Sequence, residues 1–86
     1  MSDLVITDNP STNRLEATVN GHLARVDYRI EENNLVVLYV EVPFHARGHG
    51  VGGKLAEAAL HLAREKGLKV VPVCSFMAAY MRRHSE

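Results

Sequence analysis

The chain has 86 residues, 47% of them hydrophobic and 23% charged, which is an ordinary composition for one small globular domain. Ten Lys and Arg residues balance ten Asp and Glu residues, so the basic excess typical of nucleic-acid-binding proteins is missing. One cysteine excludes an internal disulfide, and the longest apolar run, residues 35–40, is too short to cross a bilayer. These features, with a start unlike a signal peptide, favour a single cytoplasmic domain over residues 1–86, without nucleic-acid or membrane partners.

The first part of the chain has the patterns of short β-strands. Residues 4–7 form an apolar stretch that predicts a first strand, and residues 8–11 contain Asp, Asn and Pro, which favour a turn. Residues 14–19 and 22–30 are rich in alternating apolar side chains. The Asn20–Gly21 pair between them predicts a type I′ hairpin, because that turn needs positive φ at both central residues.

The second part changes to helical spacing. Residues 35–42 are almost continuously aliphatic, which predicts a central strand buried on both faces. Apolar residues recur at helical spacing over residues 51–66 and again over residues 76–83, with Ser75 as the expected N-cap of the second helix. Residues 70–73 form a short apolar stretch between these helices. The order predicts an α+β fold with helices packed against a mostly antiparallel sheet.

The segment between the aliphatic strand and the long helix, residues 47–54, reads Arg-Gly-His-Gly-Val-Gly-Gly-Lys. Glycines let the backbone approach an anion closely, and the free amides at a helix start favour negative charge. Arg47 and Lys54 add positive charge at the two ends of this segment. The sequence therefore predicts a binding site for a phosphate or a diphosphate.

Two familiar phosphate motifs fit this segment only in part. Gly48, Gly50 and Gly53 have the dinucleotide-binding spacing, but no carboxylate ends the next strand. The spacing from Gly48 to Lys54 fits most of an NTPase phosphate loop, but Leu55 occupies the position of the magnesium-binding Ser or Thr. The chain is also too short for either doubly wound fold.

A third pattern fits better. The motif Arg47-x-x-Gly50-x-Gly52 resembles the acyl-CoA diphosphate signature of the GNAT superfamily of N-acetyltransferases. Residues 39–43, Tyr-Val-Glu-Val-Pro, and residues 71–74, Val-Pro-Val-Cys, are in register with a subgroup of small GNAT-like domains. The corresponding segments of that subgroup read His-Thr-x-Val-Pro and Pro-x-Cys. The resemblance covers residues 38–86 and implies a minimal GNAT fold.

The resemblance implies transfer of an acetyl group from acetyl-CoA to an amine, such as a protein lysine, an N-terminus or a polyamine. A CoA-binding module without efficient turnover is the alternative. The residues expected to contact the cofactor are the strand end and the glycine segment, namely Val42, Arg47, Gly48, His49, Gly50, Val51, Gly52, Gly53 and Lys54.

Four residues are candidates for catalysis. Tyr39 stands where the subgroup has a histidine, and its unperturbed pKa of about 10 makes it a poor base near neutrality. Strand alternation places Glu41 on the face of Tyr39, where it can take a proton from an amine; the alternative is a solvated carboxylate. The resemblance makes Cys74 a nucleophile or an acid–base group and Tyr80 a hydroxyl facing the CoA sulfur. For both, a core side chain is the alternative.

The surroundings of this site also follow from the sequence. Pro43 and Pro72 lack amide donors, so we expect the two neighbouring strands to separate there and to admit the pantetheine arm of CoA. Only residues 8–13 connect the first two strands, too few for the helices that wall the acceptor pocket in larger GNAT enzymes. We expect an open acceptor side, a monomer or weak homodimer, and no metal site among the five histidines.

Overall fold

A computed structural model describes residues 4–48 and 50–84. The elements, in chain order, are β1 (Thr7–Asn9), β2 (Arg14–Val19), β3 (His22–Glu31), β4 (Asn34–Glu41), a 3₁₀ turn (Phe44–Ala46), α1 (Val51–Lys66), β5 (Lys69–Pro72) and α2 (Ser75–Arg83). The strands form one sheet in the order β1-β2-β3-β4-β5, antiparallel except for the parallel β4–β5 pair. This confirms the predicted α+β fold with a mostly antiparallel sheet.

The turn between β2 and β3 has the predicted geometry. Asn20 has φ +52° and Gly21 has φ +77°, as a type I′ turn requires. The turn sets the register of the β2–β3 ladder, in which Val19 lies opposite His22 and Leu15 lies opposite Val26.

Both helices pack against the same face of the sheet and share one core. The largest fully buried side chains come from β3, β4 and both helices; they are Val26, Leu35, Val37, Leu55 and Met77. Each stabilises the fold by about 1.5–3 kcal/mol relative to an exposed position. The apolar stripe of α1 is as the helical spacing predicts, because the buried residues of α1 recur three or four positions apart. Among the described residues, no helix is long and apolar enough to cross a membrane.

Two predicted boundaries are wrong. The first strand is Thr7–Asn9 rather than residues 4–7, because Asp8 and its neighbours pair with β2 and the turn begins only at Pro10. The carboxylate of Asp8 also accepts a 2.6 Å hydrogen bond from the buried Tyr28 hydroxyl. At α2, Cys74 is the N-cap, without a side-chain capping bond, and Ser75 is already the first helical residue.

Strand β4 is an interior strand, but its predicted burial on both faces is correct only for its first half. Residues 35–37 are buried, whereas Tyr39 is 49% exposed. A β-bulge separates the two halves. Tyr28 lies opposite Val37, and its neighbour on β3, Asp27, lies opposite Tyr39. Leu38 therefore has no partner on β3 and is the extra residue of the bulge. The second half of β4 is therefore free to form part of a site.

Strand β5 is one edge of the sheet. The amide of Lys69 donates to the carbonyl group of Asn33, just before β4, and the amide of Val73 donates to the carbonyl group of Val37 in β4. Because backbone N–H and C=O groups alternate in direction along a strand, the backbone groups of Val70 and the nitrogen and carbonyl group of Pro72 point toward the open edge.

Candidate functional site

The site begins where β4 and β5 separate. Their pairing ends at Val37 opposite Pro72, and the amides of Val73 and Cys74 both donate to the Val37 carbonyl, at 3.0 and 3.1 Å. Residues 38–41 of β4 then continue with a partner on the β3 side only. The predicted separation is present. Its cause differs from the prediction, because the nitrogen of Pro72 faces away from β4 and the ladder ends where the chain turns into α2.

A cavity of about 480 Å³ follows this free edge of β4 to the start of α1. We call it the strand cavity. It brings together nine of the thirteen residues that the sequence predicts for the site. Its lining consists of Tyr39, Val40, Glu41, Val42, Arg47, Gly48, Gly50, Val51, Gly52, Gly53 and Phe76. His49 lies outside the described residues.

The glycine segment presents backbone amides to the strand cavity. Gly50 is the N-cap of α1 with φ +71°, and Gly48 has φ +89°, a region that favours glycine. The amides that begin α1 have no acceptor within the helix, no side chain caps them, and the first turn of α1 contains no acidic residue. The helix dipole therefore makes this end of the strand cavity suitable for an anion.

Arg47 is tied to the end of β4. Its Nε donates a 2.9 Å hydrogen bond to the Val42 carbonyl, while the side chain remains exposed. This bond fixes the position of the guanidinium beside the glycine segment. Two terminal nitrogen atoms of a guanidinium remain suitable for an anion when Nε is bound to a carbonyl.

Phe76 is a wall of the site that the sequence reasoning missed. Its ring lies so close to Gly52 that a Cβ atom at residue 52 would be 2.9 Å from the ring carbon Cζ. A Cβ at Gly53 would lie 3.7 Å from Tyr80 Cε2, which is an ordinary contact. The glycines therefore also allow α2 to approach α1. The signal in the sequence was an aromatic residue at the start of the apolar stripe of α2.

Tyr39 and Glu41 share one face of β4, as strand alternation predicts, and this is the face of the sheet opposite the helices. Their partners on β3 are Asp27 and Arg25, and the Arg25 guanidinium carbon lies 5.7 Å from the centroid of the Tyr39 ring. The interaction with the Glu41 carboxylate is the largest of the effects that raise the pKa of Tyr39 above its usual value; desolvation adds to it, and the charge of Arg25 opposes it. Tyr39 is therefore a protonated hydroxyl at neutral pH.

Cys74 and Tyr80 do not line the strand cavity. Cys74 is half-buried at the N-cap of α2 and packs against the core. Tyr80 is 9% exposed, its hydroxyl donates to Glu57 Oε1 at 3.2 Å, and its ring stacks on His84 with centroids 4.1 Å apart. Burial, followed by the bond to Glu57, raises the pKa of Tyr80, although the charge of Arg83 lowers it.

A second cavity of about 560 Å³ lies between α1 and α2, and we call it the helix cavity. It is lined by Gly50, Gly53, Lys54, Glu57, Phe76, Tyr80, Arg83 and His84. Three of these residues, Gly50, Gly53 and Phe76, also line the strand cavity. The two cavities therefore meet at the first turn of α1, and Lys54 lies on the helix side of the junction.

Over residues 4–48 and 50–84, no group of three or more His, Cys, Asp or Glu side chains could hold a metal ion. His22 and His45 do stack, with ring centroids 5.2 Å apart. The expectation that the protein uses no metal stays a prediction.

Comparison with known proteins places these features in context. A family model described as GCN5-related N-acetyl-transferase matches residues 14–86. A solution structure of a GCN5-like protein from Staphylococcus aureus, described as a proposed N-acetyltransferase, has 31% sequence identity and a TM-score of 0.73. The match covers 96% of this chain and 82% of that one. No curated protein sequence matches at a significant level.

Proposed function

Because the chain belongs to the GCN5-related N-acetyltransferase family, we propose that it transfers an acetyl group from acetyl-CoA to an amine. The observation that carries this proposal is the strand cavity, which joins the free edge of β4 to the unpaired amides at the start of α1. An elongated thioester with a diphosphate needs this combination of a backbone edge and an anion site.

The residues at the diphosphate end fit such a ligand. The amides of Gly52 and Gly53 bind the diphosphate oxygens, and Arg47 adds charge-assisted hydrogen bonds. Lys54, one turn farther along α1, supplies a second cation. The carbonyl and amide groups of β4 near Val42 pair with the amides of the pantetheine arm, as a further strand would.

The chemistry at the other end concerns Tyr39 and Glu41. Acetyl-CoA supplies an activated acetyl thioester when it is bound. Glu41 takes the proton of the amine as the new C–N bond forms and the thioester C–S bond breaks. Tyr39 lies beside Glu41 on the same face of β4, and the interaction with this carboxylate keeps the Tyr39 hydroxyl protonated by raising its pKa. The role at the CoA sulfur that the resemblance implies for Tyr80 is not part of this proposal, because Tyr80 lines the helix cavity and its hydroxyl is bonded to Glu57. The leaving thiolate takes its proton from solvent.

A covalent route through Cys74 is the alternative to direct transfer. The Cys74 sulfur would attack the thioester carbonyl, the CoA thiolate would leave, and the amine would then take the acetyl group from the cysteine. Mass spectrometry after mixing with acetyl-CoA distinguishes the routes. A mass gain on Cys74 supports the covalent route, whereas no adduct together with full activity in Cys74→Ala rules it out.

The acceptor is proposed from what surrounds the site. Only the turn of residues 10–13 joins β1 to β2, so no helix from this connection covers the strand cavity. An open approach suits a protruding amine, such as a protein lysine, an N-terminus or a polyamine. We include in the proposal a cytoplasmic location, a monomer or weak homodimer, and the absence of nucleic-acid and membrane partners.

A CoA-binding module without turnover is the second candidate. Tyr39 favours it, because a tyrosine with a raised pKa stands where related small domains have a histidine that titrates near neutrality. The two candidates share the ligand and differ only in turnover. They are therefore separated by activity and not by binding.

Thermal unfolding with acetyl-CoA, ATP or NAD tests the ligand. A ligand at 100 times its dissociation constant stabilises the folded state by about 2.7 kcal/mol, which raises the Tm of a domain this size by about 10 °C or more. We expect this shift with acetyl-CoA only, and a smaller one in Arg47→Gln; Arg29→Gln, on the far part of β3, is the control. Equal shifts with ATP would refute the assignment.

Release of free CoA thiol in the presence of polyamines, peptides or lysine-rich protein then tests turnover. Release that depends on the amine supports the acetyltransferase. Binding of acetyl-CoA without release supports the module. Glu41→Gln should slow release without weakening binding, because the carboxylate acts on the amine and not on the CoA diphosphate.

A further inference from the structure

The proposed function gives the helix cavity no role beyond its junction with the strand cavity. Its α1 wall consists of Gly50, Gly53, Lys54 and Glu57, which share one face of the helix. Its α2 wall consists of Phe76, Tyr80, Arg83 and His84, which share one face in the same way. From Gly50 to Glu57 the α1 wall is about 10 Å long. The helix cavity is therefore an extended groove that continues the strand cavity past the start of α1.

Positive charge dominates the open part of this groove. Lys54 and Arg83 are both exposed and line opposite walls. The carboxylate that lines it, Glu57, accepts a hydrogen bond from Tyr80 at 3.2 Å and lies 3.7 Å from the Arg64 guanidinium. Its charge is therefore partly compensated from the side of α1 away from the junction. A second anionic group of a ligand would meet Arg83 rather than a free carboxylate.

We propose that Arg83 binds the 3′-phosphate of CoA in the helix cavity, while Lys54 contacts the diphosphate where the two cavities meet. This inference rests on the proposed function, because it assumes that the diphosphate lies at the start of α1. The adenosine of CoA, with its 3′-phosphate, lies beyond the diphosphate, and the helix cavity opens from that point because it shares Gly50, Gly53 and Phe76 with the strand cavity.

The side-chain chemistry agrees with this division. A phosphate monoester carries about two negative charges and three acceptor oxygens, and the planar fork of an arginine pairs with two of them. The stacked rings of Tyr80 and His84 hold the floor of the groove beside Arg83. The competing explanation is that Arg83 only complements the dipole at the C-terminal end of α2. If Arg83 had only that role, replacing it would lower the stability of the fold but would not change the affinity for a phosphate.

Calorimetric titration with CoA and with dephospho-CoA, which lacks only the 3′-phosphate, tests the inference. The wild-type protein should bind CoA about tenfold more tightly than dephospho-CoA, as expected for one charge-assisted bidentate pair. In Arg83→Gln this ratio should fall to between one and two, because CoA binding weakens while dephospho-CoA binding is unchanged. Lys54→Gln should weaken both ligands by a similar factor.

The control is Lys66→Gln, which removes the same charge from the other end of α1, about 18 Å from Lys54. It should keep the tenfold ratio. Raising the salt concentration should reduce CoA binding more than dephospho-CoA binding in the wild type, and equally in Arg83→Gln. Equal wild-type affinities for the two ligands, or a ratio unchanged by Arg83→Gln, would overturn this inference alone. Failure of both ligands to bind would overturn the proposed function as well.

Discussion

Replacing Gly52 with alanine tests the packing of α2 on α1. The new Cβ would lie 2.9 Å from Phe76 Cζ, whereas non-bonded carbon atoms prefer about 3.5–4.0 Å. The clash involves the end of a side chain that is 39% exposed, so the ring can turn away and the backbone stays in place. The cost therefore falls near the lower end of the usual range for overpacking, about 1–3 kcal/mol.

Alanine also favours the helix. Replacing glycine within a helix gains about 0.5–1 kcal/mol. The two effects nearly cancel, so Gly52→Ala should lower the free energy of unfolding by between about zero and about 1 kcal/mol. Without the ring, in Phe76→Ala, the same substitution should stabilise by about 0.5–1 kcal/mol. The coupling between the two positions is then about 1 kcal/mol.

Urea unfolding followed by circular dichroism measures all four proteins of this cycle, since a domain of this size normally unfolds in one step. The matched control is Gly53→Ala, whose Cβ makes only a 3.7 Å contact with Tyr80. It should stabilise by about 0.5–1 kcal/mol in both backgrounds. If Gly52→Ala has the same effect with and without Phe76, the close contact does not exist and the reasoning fails.

Three further changes have defined outcomes. Burial and a hydrogen bond to Asp8 raise the pKa of Tyr28 in the folded protein, so the Tyr28 hydroxyl loses its proton at a lower pH in the unfolded chain. Above pH of about 10, the free energy of unfolding should therefore fall as pH rises. Tyr28→Phe should reduce this slope, by up to about 1.4 kcal/mol per pH unit. Met77→Ala should cost about 2–5 kcal/mol in urea unfolding, because Met77 is fully buried, whereas Phe44→Ala at an exposed position should cost less than about 0.5 kcal/mol. Glu41→Gln should lower the pKa of Tyr39, measured by ultraviolet titration of tyrosine, because the carboxylate that favours the protonated hydroxyl is gone.

Each of these has a contradicting result. A slope that is identical in Tyr28→Phe would mean that another group controls the alkaline transition. Equal losses for Met77→Ala and Phe44→Ala would contradict the assigned core. An unchanged titration in Glu41→Gln would show that Tyr39 does not bond to that carboxylate; Glu31→Gln, at the other end of the sheet ladder, is the control.

The sequence was sufficient for the elements that have a local cause. Asn20 and Gly21 define their own turn, and the helical spacing of residues 51–66 defines the buried face of α1. The glycine segment could also be placed correctly, because the motif and the flanking elements agree. These features depend on residues close to each other in the chain, so a single sequence carries enough information.

Features that depend on distant residues could not be predicted. The bulge at Leu38 follows from the register between β3 and β4, and strand alternation alone cannot reveal it. The contact between Gly52 and Phe76 joins two helices separated by β5. The position of Tyr80 in the apolar stripe of α2 fits either a core residue or a site residue, and only the three-dimensional structure shows its hydrogen bond to Glu57.

The orientation of Pro72 on β5 has a consequence for how the protein behaves at high concentration. Exposed edges of sheets recruit other chains by pairing with them, which leads to aggregation. The residues of β5 whose backbone groups point to the open edge are Val70 and Pro72. An incoming strand would therefore find the amide hydrogen of Val70 but none at Pro72, because proline has no amide hydrogen. A fold this small can therefore leave its last strand uncovered and still resist polymerising along it.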